Sequence, residues 1–416
     1  MVLRNFCIAA FLLLSFASKA QSPDTAFSKE WVGIDTLIVR NDLTRSALEK
    51  VNTLYQKARQ RQLPEQMIKA LIYQYSLEDR ITTTDPAHSI KRIKTEINTS
   101  TNEIQKAILY SLLAKQYRQY YNNNRWNLYD RKNTAGLVKE DITTWSNDDL
   151  ISAITSNFLL SLKNPSLLQQ KKVETYDAVI IKGTNRALMP TLFNLLAHEA
   201  LNYFKSGDSY TTRPTNAFTI NDPNALAPTD IFTSSVFVTK DSSSLQWLAL
   251  GLFRQLLVFH RNEADKNVLL DIDLERIEWV YQLAVFTDKD KVYQKTLQSV
   301  IDQYPSVPAA STAWYLLAQK EMEKASGYSA SGDTANRYGY IKAKRIIEKA
   351  LPLFAKNNSG TANMQNLLIQ INTKQLRTET ERVHIPNKPF STLVTSRYQD
   401  TLFGSIYTLA KNELVR

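Results

Sequence analysis

Catalysis in this chain would have to start from His198 and Glu199, in the run LMPTLFNLLAHEALNYF from Leu188 to Phe204. A His-Glu pair on a helix opens the zinc-hydrolase pattern, in which a second His completes two metal ligands on one face and the Glu acts as general base. That second position, four residues on, holds Asn202. The other histidines stand at 88, 260 and 384, so no close metal-ligand spacing forms, and His198 is expected to be a helix residue bonded locally. Asp271, Asp273 and Glu275 alternate where a helix opens, and acids favour a helix N-terminus. Read as a calcium loop, they lack the required glycine. Neither a phosphate-binding-loop lysine motif nor a dinucleotide-binding glycine pattern nor a nucleophile elbow occurs. The expectation is therefore no catalytic, cofactor-binding or metal residues, no cofactor, and no enzyme activity.

Binding is the other chemistry the residues could support. Leu109, Leu112, Leu113, Tyr117, Tyr120 and Tyr121 recur at spacings of three and four, which paints one apolar helix stripe opposite Lys115, Arg118 and Gln119. Asn122, Asn123 and Asn124 are expected to stop that helix, because Asn prefers caps and left-handed turns. Trp126 and Tyr129 follow at once. Such a pair either folds back over the helix end or forms a platform on which a sugar or peptide stacks, since each ring joins an apolar face to a polar handle. Thr143 or Ser146 then caps a helix carrying Ile151, Ile154, Phe158 and Leu162.

The elements that position these groups read as helices nearly throughout. Ala47, Leu48, Val51, Leu54, Tyr55 and Ala58 form one stripe; after a break at Leu63-Pro64, Met67, Ile68, Leu71, Ile72 and Tyr75 form the next. Small residues beside large ones let helices approach closely, as in helix-hairpin repeats. Tyr304-Pro305 followed by Ala309, Ala313, Tyr315, Leu316 and Ala318 resembles a tetratricopeptide turn and helix, with Ala343, Ile347, Ala350 and Leu351 as its successor. Between the arrays, Ser206 to Asp241 holds Pro214, Pro223 and Pro228 among Asn, Asp, Thr and Ser, which predicts an irregular crossing loop. Its Phe218, Ile220, Phe232, Val236 and Phe237 favour draping over a core. Beyond Thr373, Thr392 to Thr395 and Leu402 to Tyr407 look like two short strands around a turn.

Composition narrows the setting. Hydrophobic content of 43% with charged content of 22% excludes wholesale disorder, and only 10 Gly and 13 Pro in 416 residues favour long helices over tight hairpins. Met1 to Ala20 reads as a cleaved export signal: Arg4 supplies the basic start, Cys7 to Phe16 the apolar run, and Ser18-Lys19-Ala20 the cleavage site. That run is too short to span a bilayer, and Cys7 lies inside it, wrongly placed for a lipoprotein cysteine. Removing Arg4 and Lys19 takes the net charge from +11 to +9 and leaves no cysteine, hence no disulfide framework and no thiolate nucleophile. The basic excess is spread along helices and broken by acids, as in KRIKTEIN and KAKRIIEK, which argues against nucleic acid as a partner.

The runs QYYNNNRW and DITTW, then LMPTLFNLLAHEALNYF and TRPTNAF, resemble the helical N-terminal region of large bacterial proteins of the alpha-2-macroglobulin family. The likeness spans roughly Trp31 to Tyr407 and rests on structural motifs. It implies a part in protease trapping or envelope defence, in which a protease cuts a bait segment and, in many members, a thioester captures it. That thioester needs a Cys and a Gln in one motif, and no Cys follows position 7, so the inhibitor chemistry is expected outside this chain. The resemblance also makes the end of the chain the opening of a macroglobulin-type β-sandwich, which needs about 100 residues.

The expected fold is mainly α: a helix-hairpin, degenerate tetratricopeptide-like array with a short C-terminal β segment. The expected organisation is a signal peptide at 1–20, a helical array at 28–205, the crossing loop at 206–243, a tetratricopeptide-like array at 244–375 and an incomplete β segment at 380–416. The expected partners are a protein or downstream β-sandwich domains, and proteases through the full-length protein. The expected location is periplasmic or secreted, in association with the envelope, with no transmembrane segment. Two other classes remain open: a free-standing tetratricopeptide-like periplasmic protein that binds a peptide or glycan, and an enzyme of unrecognised type.

Overall fold

Apolar residues spaced three and four apart bury themselves by pairing helices, and the computed structural model of the chain is built almost wholly this way. It describes residues 25–405 except 41, 82–86, 129–140, 178, 181, 182, 184, 185, 209–214, 329–333, 356, 357, 382, 384, 386, 387 and 398–400. The signal segment, Tyr129, Pro214, His384 and the end of the second expected strand therefore lie outside the described residues. Fifteen α-helices and one two-stranded sheet occur among the described residues. Two compact units divide at Thr184, with Thr191–Leu196 belonging to the first and Asn185–Pro190 to the second.

The first unit contains α1 (Thr25–Val39), α2 (Thr44–Gln60), α3 (Pro64–Ile81), α4 (His88–Thr99), α5 (Glu103–Leu128), α6 (Asn147–Ser161) and α7 (Pro165–Gln169). Ala47, Ala58 and Ala70 are fully buried beside Val51, Leu54 and Ile68, so small side chains bring α2 and α3 together as expected. The turn between them uses Gln62 in the left-handed region (φ 54°) and starts α3 on Pro64, where a missing N–H costs nothing. Ser146 caps α6: its hydroxyl accepts from Asp149 N, and Asp149 returns the bond to Ser146 N at 3.0 Å.

One expectation in this unit fails. The three asparagines do not end α5, which continues to Leu128. Asn in a helix interior costs only about 0.5 kcal/mol, and burial of Tyr121 and Leu128 on either side outweighs that. Asn124 fits the helix by donating to the Tyr120 carbonyl at 2.8 Å.

The second unit contains the end of α8 (Leu192–Phe204), then α9 (Thr229–Ser234), α10 (Leu245–His260), α11 (Asn267–Leu283), α12 (Lys289–Gln303), α13 (Ser311–Ser326), α14 (Gly339–Ala350), α15 (Ser359–Asn372), β1 (Gln375–Thr380) and β2 (Thr392–Arg397). The expected crossing loop is ordered further than its prolines suggest, into a 3₁₀ turn at Pro223–Ala225 and the helix α9. Ile220 and Phe232 are buried in the draped segment, whereas Val236 is 69% exposed and does not join it.

A buried ion pair holds this segment down. Arg276 and Asp273, on α11, are both fully buried. Arg276 donates to Asp273 Oδ1 at 2.8 Å, to the Ala227 carbonyl at 2.9 Å and to the Ala225 carbonyl, with its guanidinium 4.2 Å from the Phe232 ring. Asp273 Oδ2 accepts from Thr229 at 2.7 Å, and Thr296 donates to the Leu226 carbonyl at 2.8 Å. The acids expected at a helix start thus sit one to two turns inside α11, because the helix begins at Asn267.

The C-terminal strands also differ from expectation. Thr392–Arg397 pairs antiparallel with Gln375–Thr380, which precedes it, so Gln375 stands opposite Arg397 and Thr380 opposite Thr392. Leu402 to Ser405 takes no strand. Gln375–Thr380 was hidden by its Gln, Arg and Glu; its Thr residues at alternate positions favour the pleat.

Candidate interaction surface

The hairpin is an exposed part of the second unit. Every strand residue whose side chain is described is exposed, on both faces. Opposed residues share a face, so the register puts Leu376, Thr378, Thr380, Thr392, Val394 and Ser396 together. That face carries no charge. The opposite face holds the ion pair of Arg377 with Glu379 at 2.6 Å, together with Leu393 and Thr395. Leu376 is 53% and Leu393 62% exposed, and Phe390 and Phe403, in the sequence flanking the second strand, are 50% and 97% exposed. A lone two-stranded hairpin is marginal in water, and among the described residues neither outer edge pairs with another strand.

The other candidate residues are placed as follows. His198 is buried on α8, with Nδ1 3.7 Å from Glu275 Oε2, and its Nε2 meets no hydrogen-bond partner among the described residues. Glu275 stands on α11, so this charge contact reaches His198 from a second helix. Lys205 also pairs with Glu275. Burial holds the His198 imidazole below its usual range, against the pull of the Glu275 charge and with a smaller contribution from the Lys205 charge. Asp271, one turn before Glu275, is pushed up to about 6 by burial and by the Glu275 charge. His88 meets Glu78 at 2.8 Å and His260 meets Glu263 at 2.7 Å. Among the described residues, no three His, Cys, Asp or Glu side chains come together as a metal site, and no helix is long and apolar enough to cross a membrane.

Trp126 does not fold back: it is 92% exposed on the last turn of α5. The aromatic that does cover α5 is Trp145, stacked on Tyr117 with ring centroids 5.4 Å apart. Its contribution was signalled only by an aromatic immediately before the Ser146 cap. No protein-family model, curated protein or solved structure matches the chain.

Proposed function

We propose that this chain is an exported, non-catalytic helical module of an alpha-2-macroglobulin-like protein, and that its helices present an incomplete β-sheet to which further strands are added. The observation that carries the reading is the β1/β2 hairpin, exposed on both faces and uncharged on one. Two strands without a covering layer gain too little from burial to hold their own order, whereas an added strand satisfies an edge and a second sheet buries the uncharged face. The implied role is protease trapping or envelope defence, with the inhibitor chemistry outside the chain. The motif resemblance and the lack of any cysteine after Cys7 support that division of labour.

The experiment is an immunoblot of native cell fractions with antibody against residues 28–370. The reading expects an envelope or secreted band several times larger than 47.5 kDa. A single band near the chain's own mass would overturn it in favour of a free-standing tetratricopeptide-like binding protein. Hydrogen exchange of residues 375–397 adds a second readout: fast in the isolated chain, slowed within the larger species. Equal protection in both would leave the hairpin without the proposed partner.

A further inference from the structure

The first unit carries a polar depression of about 470 Å³ that the hairpin does not involve. Asn52, Tyr55 and Gln56 of α2, Gln74 and Glu78 of α3, and Arg92 of α4 line it. Its volume is within the range of ligand-binding clefts, about 300–1,000 Å³. The floor is built, not incidental. Gln74 is 1% exposed; its Nε2 donates to Asn52 Oδ1 at 2.6 Å and its Oε1 accepts from Arg92 at 2.8 Å. Arg92 is also paired with Glu78, and Tyr55 donates to Glu96 at 2.7 Å. Positive and negative charge are thereby matched inside the lining, so it has no net pull on an ion.

Hydrogen-bonding capacity remains at the rim. Asn52 uses its oxygen for Gln74 and keeps its amide N–H groups, and the exposed Gln56 makes no described hydrogen bond. Asn52 and Gln56 are one helical turn apart, so their carboxamides repeat at about 6 Å along the α2 axis. An extended peptide repeats its outward-facing N–H and C=O groups every two residues, at about 6.6 Å. A carboxamide can both donate to and accept from such a backbone. A saccharide would call for a ring face to stack on, and the one aromatic in the lining, Tyr55, is only 7% exposed.

We infer that this groove binds an extended, uncharged peptide segment through its backbone, with Asn52 and Gln56 reading successive peptide groups and the Gln74–Arg92–Glu78 network holding Asn52 in position. This goes beyond the hairpin reading and does not depend on it.

The test is a fluorescence-anisotropy titration of the full chain into a labelled, terminally blocked decapeptide of alternating Ser and Thr. Saturable binding is expected, weakened about tenfold or more by Asn52→Ala with Gln56→Ala, since two hydrogen-bonding groups are lost. Gln56 is exposed and makes no described hydrogen bond, so Gln56→Ala alone should weaken binding with no change in melting temperature, whereas Asn52→Ala also unpairs the buried Gln74 amide and should lower it. The same decapeptide N-methylated at every peptide nitrogen should lose most of its affinity, because its backbone donors are gone. Four results would overturn the inference: no saturation, equal binding of the N-methylated peptide, binding untouched by the double substitution, or displacement of the peptide by chitotetraose at equal concentration.

Discussion

The Arg276–Asp273 pair gives the sharpest test of how the second unit is held together, because both side chains are fully buried and every strong partner is identified. Asp273→Asn keeps the shape of the side chain and removes its charge. The guanidinium charge is then left in the interior with neutral acceptors alone, the substituted amide oxygen and the Ala225 and Ala227 carbonyls, and the face of Phe232. Breaking one member of a buried pair costs about 3–5 kcal/mol, which is a third or more of the roughly 5–15 kcal/mol that holds a domain folded. For a unit of this size the melting temperature should fall by roughly 10 °C. The damage should also be local, since the network ties residues 225–229 to α11. Hydrogen exchange read by mass spectrometry should therefore accelerate first in peptides covering 218–238, including those anchored by the Val285 N–H to Ile220 carbonyl bond of 3.0 Å, and leave α2 and α3 unchanged. Asp273→Leu combined with Arg276→Met removes both charges, and its loss should be smaller than the sum of the two single losses. A loss below about 1 kcal/mol for Asp273→Asn, or exchange that rises equally in both units, would refute the assignment of Arg276 as the anchor of the draped segment.

Gly360→Ala should cost about 1–3 kcal/mol in a urea melt, because a β-carbon there would stand 2.5 Å from Thr312 N and 2.6 Å from the Ser311 carbonyl carbon, besides meeting Ser311 Oγ. Gly251→Ala, on an exposed face of α10 with nothing nearby, should instead stabilise by about 0.5–1 kcal/mol. Asp271 has its folded pKa raised from 3.8 to about 6, so the folded state binds more protons between these values and stability falls as pH rises through that window. Asp271→Asn should therefore stabilise the chain at pH 7, by something on the order of 2 kcal/mol after allowance for partial exposure, and have little effect near pH 3.5. His198 acts in the opposite direction: its folded pKa is lowered by burial, so the stability it contributes is present above its unfolded value of 6.5 and is lost as pH falls below it. Urea midpoints from pH 4 to 8 should accordingly be flatter for the native chain than for Asp271→Asn, whose loss on acidification is then unopposed. Trp126→Ala should change stability by no more than about 0.5 kcal/mol, because the ring is 92% exposed; a larger loss in thermal melts would mean that another part of the chain covers it.

What could be read from the sequence was whatever one or two helical turns decide. The stripe Ala47, Val51, Leu54, Ala58 is buried as its spacing requires, Pro64 starts α3, and Ser146 with Asp149 caps α6, each through neighbours no more than four residues away. Asn122 to Asn124 misled because a local preference of about 0.5 kcal/mol was weighed without Tyr121 and Leu128, whose burial depends on packing partners the spacing does not name. The same limit explains the acids of α11. As a sequence pattern, Asp273 and Arg276 are an ordinary surface pair three residues apart; they are interior only because Ala225 and Ala227 bring their carbonyls to the guanidinium from 51 and 49 residues away.

The functional reading follows from this division between local and distant effects. A helix satisfies its own backbone hydrogen bonds, so these arrays can be complete with a polar surface, and His88 and His260 hydrogen-bond to the carboxylates of Glu78 and Glu263. A strand cannot be complete in that way: among the described residues β1 and β2 each pair one edge, against the other, and leave the second edge unpaired and an uncharged face of Leu376, Val394 and threonines exposed. The part of the fold with the most unsatisfied backbone is therefore the hairpin among the described residues. An addition of strands there requires only backbone edges and apolar cover.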